Sequence, residues 1–148
     1  MQEETKILSL NINGLNSPQK RKKSFNKLNR MNLDIIAIHM VHVKEQHKHL
    51  LNYPKLGNRF ASLSQYKKRV VVLYTKESIV AKQIYKDNEG RILIVKATLN
   101  QKRVVLVGIY APNGGLEQFY RKLHNIIREI ECDNICIMGD FNTITDKN

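Results

Sequence analysis

The chain has 148 residues, 42% of them hydrophobic, enough for one compact domain with a core and too many for compositional disorder. Twenty-five lysines and arginines against thirteen acids leave a net charge of +12. That excess points to a polyanionic partner, nucleic acid above all, with a merely soluble basic surface as the plain alternative. The longest apolar runs, Ile35–Ile38 and Val70–Tyr74, are far too short to cross a bilayer, so no membrane association is expected.

The start, Met1-Gln-Glu-Glu, is polar and acidic and carries no secretory signal. Cys132 and Cys136 fit no zinc spacing, and free thiols suit a reducing compartment. An intracellular protein, nuclear or cytoplasmic, is expected. No repeat and no Pro/Gly-rich linker divides residues 1–148.

The first strand is expected over Lys6–Leu10. A helix follows, opened by Ser17-Pro18, a capping residue before a proline, with Phe25, Leu28 and Met31 on its apolar face. Val/Ile-rich strands are expected at Ile35–Val41, Val70–Tyr74, Ile79–Tyr85, Ile92–Leu99 and Val104–Tyr110. The last two read as a hairpin joined by Asn100–Arg103. A second helix runs from about Leu116 to Ile130, where Leu116, Phe119, Tyr120, Leu123, Ile127 and Ile130 share one face. A final strand is expected at Ile135–Met138. Strands interleaved with two helices make an α/β pattern with mixed sheets.

Three segments could carry chemistry. Leu8-Ser-Leu-Asn11-Ile-Asn13-Gly14 is a strand breaking into amides and glycine, as at a ligand crevice or in a plain turn. Val107-Gly-Ile-Tyr110-Ala-Pro112-Asn113 delivers an aromatic and an amide to a loop stiffened by proline. Tyr110 could stack or bond a phosphate, or simply close the core. Ile135-Cys-Ile-Met-Gly139-Asp140-Phe141-Asn142 ends a strand in a carboxylate and an amide on the same face. A carboxylate so placed suits a general base for water, with the amide donating to a developing oxyanion; a cap or turn is the simpler role.

Together the three motifs resemble the endonuclease/exonuclease/phosphatase superfamily, most of all the endonuclease domains of LINE-type retrotransposons. Leu10–Ser17, Ile109–Asn113 and Met138–Thr143 carry the resemblance, in order and in spacing. It implies a truncated four-layer α/β/β/α sandwich of the DNase I-like fold. It also implies a magnesium-dependent hydrolase that nicks target DNA. On the matching positions, Asn11 would help hold the metal-site network, Tyr110 would contact the scissile phosphate, Asp140 would position or deprotonate water, and Asn142 would stabilise charge on phosphate.

Three departures qualify the likeness. Met40 stands where the family's metal-ligating Glu belongs, and magnesium wants hard oxygen ligands rather than a thioether. His42 matches a histidine the family already has beside that Glu, and rescue by Glu45 needs a rearranged loop. Losing even an outer-shell partner costs ~10–100-fold in metal affinity or activity. Second, the family pattern continues past the Gly-Asp-Phe-Asn motif to a further Asp and a closing Ser-Asp-His, and the sequence ends at Asn148. A partial domain is therefore expected, its first sheet stripped on the inner face, with a partner chain, self-association or a poorly stable product as the consequence. Third, Arg69 stands where relatives have Gly.

The basic residues Lys20, Arg21, Lys22, Lys23, Lys67, Lys68 and Arg69, with Asn13 and Asn113, are the candidates for contacting DNA. A cation cluster in a helix's first turns is disfavoured by the helix dipole, so local stability does not explain it. The expectation is descent from a DNA-nicking phosphodiesterase with weak or lost catalysis. The alternatives are a non-catalytic nucleic-acid-binding or interaction module, or a retrotransposon-derived fossil.

Overall fold

The computed structural model describes residues 4–13, 18–41, 49, 51–64 and 69–141, without the side chains of residues 13, 40 and 41. Strand β1 (Ile7–Asn13) leads through helix α1 (Pro18–Arg30) to β2 (Ile35–Val41), which lies parallel to β1. A short 3-10 turn (Pro54–Leu56) precedes β3 (Asn58–Leu63), and β4 (Arg69–Thr75) then inserts antiparallel between β2 and β3. The first sheet has the order β1-β2-β4-β3. Strands β5 (Val80–Lys86), β6 (Ile92–Leu99) and β7 (Lys102–Tyr110) form an antiparallel meander. Helix α2 (Leu116–Arg128) returns the chain to β8 (Ile135–Asp140), parallel to β7, giving the order β5-β6-β7-β8.

The alternation of side chains along the strands divides the buried apolar residues among three cores. Ile36, Ile38, Val70, Val72 and Tyr74 face α1, where they bury Phe25 and Leu28. Ile35, Ala37, Val71 and Leu73 face the other way, onto Leu93, Val95, Ala97, Leu106 and Met138 of the second sheet. Ile92, Ile94, Val105, Val107 and Ile109 form the outer face of that sheet, under Phe119 and Leu123 of α2. The layers run helix, sheet, sheet, helix, as the resemblance implied.

The expectation of a stripped inner face on the first sheet is overturned for β2 and β4 but not for β1, whose Ile7, Ser9 and Asn11 share the inter-sheet face and are exposed. Ile35, Ala37, Val71 and Leu73 are at most 2% exposed, because the second sheet lies on them. Exposed apolar side chains lie on the outermost strands: Ile7 on β1, Val80 and Ile84 on β5, and Ile135 and Ile137 on β8. Met31 also departs from expectation. Helix α1 closes at Arg30, which leaves Met31 in the following turn and exposed.

Two further differences have local causes. The hairpin connection tightens to Asn100 and Gln101, both at positive φ, and Leu99 pairs directly with Lys102. That is the primed-turn geometry whose twist matches the flanking strands. Strand β3 had no apolar run to announce it. Its residues Asn58-Arg-Phe-Ala-Ser-Leu63 are half polar because it is an edge strand, paired on one side to β4.

Candidate active site at one end of the sandwich

Two parallel strand pairs, β1–β2 and β7–β8, end at the same place. There Asn11 stands beside His39 across the first sheet, and Tyr110 beside Asp140 across the second. By alternation all four belong to the inter-sheet face, continuing the rows Ile35–Ala37 and Cys136–Met138 toward the end of the strands. The two sheets meet there through rings: His39 and Tyr110 have centroids 5.6 Å apart with planes at 64°.

Asp140 is placed by its neighbours in the chain. Gly139 adopts φ 129°, and a Cβ there would lie 2.0 Å from the carbonyl oxygen of Ile109. Only glycine lets β8 press so closely on β7, and that approach fixes where the next residue, the carboxylate, emerges. The Asp140 carbonyl accepts the amide of Ala111 at 2.8 Å, and the Tyr120 hydroxyl of α2 donates to the carbonyl of Phe141. Burial raises the Tyr120 pKa, and the negative charge of Asp140 raises it further.

His39 is 6% exposed, and its Nδ1 is buried without a hydrogen-bond partner among the described residues. Burial pushes its pKa below the ordinary 6.5, with the charge of Asp140 offsetting part of the effect. Burial thus favours the neutral imidazole. Tyr110 is held from the far side by Arg91, whose Nη1 donates to the Tyr110 carbonyl at 3.0 Å while its guanidinium lies 6.0 Å from the ring centroid. The Tyr110 amide returns a hydrogen bond to the Arg91 carbonyl at 2.8 Å. Neither His39 nor Arg91 stood out in the sequence as a site residue. The signal was present for His39: it has the inward parity of Ile35 and Ala37, one strand from Asn11.

The remaining sequence candidates fall as follows. Asn113 is exposed on the loop after β7. Lys20, Arg21, Lys22 and Lys23 occupy the first turns of α1, on the side of the first sheet away from His39 and Tyr110. Arg69 opens β4. Asn13 and Met40 are placed through their backbones, Asn13 opposite Val41 and Met40 between Ile12 and Val70. Asn142, Lys67 and Lys68, with His42 and Glu45, lie outside the described residues.

Magnesium would need a set of oxygen donors here. Asp140 supplies one carboxylate and Asn11 one amide oxygen, while Met40 contributes none. Among the described residues no group of three or more His, Cys, Asp or Glu could hold a metal ion. The donor set does not fit the ion that the resemblance implies.

No family model matches the chain. Solved structures do. TDP2 of D. rerio, in complex with a single-stranded DNA product, matches at TM-score 0.70 and 15% identity over 95% of this chain and 62% of its own. The endonuclease domain of TRAS1, a telomere-specific non-LTR retrotransposon, matches at 0.68 and 13%, over 93% and 59%. An AP endonuclease from Archaeoglobus fulgidus matches at 0.61 and 16%, over 94% and 58%. The chain spans about three-fifths of the length of these structures. These likenesses show the fold, a DNase I-like sandwich.

Proposed function

We propose that this chain is the nucleic-acid-binding part of a LINE-type endonuclease whose hydrolytic site is impaired. The observation that carries the reading is the meeting of Tyr110 and Asp140 with Asn11 and His39 where the two sheets end. In this arrangement the Tyr110 hydroxyl and the Asn11 amide bind phosphate oxygens, and the basic surface of a +12 chain holds the strand in place. Asp140 can orient a water against phosphorus and take up its proton.

Hydrolysis needs more than that. The charge developing on the phosphate calls for a cation or strong donors, and the Met40 position brings neither. Among the described residues Asp140 and Asn11 are too few oxygen donors for magnesium, which favours a binding module over a working nuclease. DNA is the partner, in keeping with the single-stranded DNA product held by the D. rerio TDP2 structure.

The reading is tested by calorimetric titration with magnesium and by anisotropy of a labelled DNA duplex. Met40→Glu should gain magnesium affinity by ~10–100-fold or more over the parent chain. Tyr110→Ala should weaken duplex binding. Equal magnesium affinity in parent and Met40→Glu would remove position 40 from the metal site, and duplex binding unaffected by Tyr110→Ala would remove the site itself.

A further inference from the structure

Beside Tyr110 two arginines meet at one turn, Arg91 within it and Arg69 bonded to it. Strand β5 ends at Lys86, and the chain folds back at Asp87–Arg91 before β6. The turn is rigid: the buried Asp87 carboxylate accepts the amides of Arg91 and Ile92 at 3.0 Å each and the Ser62 hydroxyl at 2.6 Å. Arg69, at the start of β4, donates its Nε to the Glu89 carbonyl of this turn at 2.7 Å. Arg91, two residues on, donates to the Tyr110 carbonyl. Both guanidiniums are thus tethered to backbone carbonyls that fix their place. Among the described residues the ion pairs within 4 Å are Lys76–Asp34 and Arg121–Glu117, so neither arginine has a carboxylate in contact.

Such a pair is unfavourable by itself, since two cations are held at one turn and one of them is partly buried. Burial first, and then the charge of Arg69, lower the Arg91 pKa; Glu89 and Asp87 offset only part of this. An anion between the two guanidiniums removes the repulsion and meets their planar donor forks, which suit phosphate oxygens.

We infer that Arg69 and Arg91 form a phosphate subsite beside Tyr110, taking the nucleic-acid backbone phosphate next to the one at the Tyr110–Asp140 end. The inference rests on the nucleic-acid reading of that end and adds a position and a register to it. Arg91 has two tasks: it holds Tyr110 through its carbonyl and ring, and it offers its remaining N–H groups to phosphate. Arg69 has only the second, so the two can be separated by substitution.

The test uses the full chain and a fluorescein-labelled DNA duplex, with affinity followed against salt concentration. Each phosphate contact contributes about −0.9 to the slope of log K against log salt, so Arg69→Gln should reduce its magnitude by about 0.9 and Arg69→Gln/Arg91→Gln by about 1.8. Arg91→Lys, which keeps the charge but not the fork, should keep the slope and weaken binding. Duplex binding with a slope unchanged in a folded double variant overturns the subsite and leaves the wider reading standing. No duplex binding by the parent chain overturns both. If the double variant fails to fold, the parent decides: the Arg69 and Arg91 Nε–H resonances should shift on duplex addition, and two unmoved signals overturn the subsite.

Discussion

At the residue scale, the site depends on a few positions whose neighbours leave them no freedom. Gly139 is one. Alanine there would need a positive φ and would drive its Cβ into the Ile109 carbonyl, so β8 must shift from β7. Gly139→Ala should cost about 1–3 kcal/mol in strain alone. It should also displace Asp140, read as a lower denaturation midpoint with weaker DNA binding. Tyr74 is another. Its hydroxyl donates to the Leu51 carbonyl inside the α1 core, and burial holds its pKa well above the usual 10. A raised folded pKa means that Tyr74 stays neutral in the native chain while the unfolded chain ionises. Its contribution to stability is complete below pH 10 and declines as the pH rises beyond that. Melting curves from pH 8 to 11 should show a shallower decline for Tyr74→Phe than for the parent, and equal declines would contradict this.

Elements were legible in proportion to their apolar period. The inner strands β2, β4, β6 and β7 are Val/Ile-rich because both their faces are buried, and all four were placed nearly residue for residue. Helix α2 was read from its one-sided stripe, and the end assigned at Ile130 fell two residues beyond the helix proper because Glu129 and Ile130 close it with tighter turns. Phe119 and Leu123 are its anchors, 8% and 4% exposed on Ile92, Val107 and Ile109. Phe119→Ala should cost about 3–5 kcal/mol, measured by denaturant titration. Edge strand β3 was illegible because its residues need only one apolar face. Helix α1 carries no acid in its first turn and begins with the basic run Lys20–Lys23. Four alanines there should leave the helix as stable or more so, since the dipole disfavours cations at that end. The same change should flatten the salt dependence of DNA binding, and an unchanged slope would relegate the run to a solvated surface.

At the scale of the whole molecule, local patterns determined most of the architecture but not the pairing of the sheets. Sequence reading placed Asn11, Tyr110 and Asp140 at strand ends, and the fold brings those ends together. It missed His39 and Arg91, whose part depends on which strands lie across from one another. It also erred on β2 and β4 of the first sheet, whose inner rows are closed by Leu93, Val95 and Leu106 of the second. No helix among the described residues is long and apolar enough to cross a membrane. The result is a two-sheet sandwich with a helix on each outer face and Asn11, His39, Tyr110 and Asp140 at one end.

The most direct test of this account is conversion of supercoiled plasmid by the parent chain in magnesium, at protein concentrations where gel shift shows the DNA fully bound. The account predicts bound plasmid that stays supercoiled. Metal-dependent nicking by the parent chain that disappears in Asp140→Asn would contradict it, because the site would then be a working nuclease despite Met40.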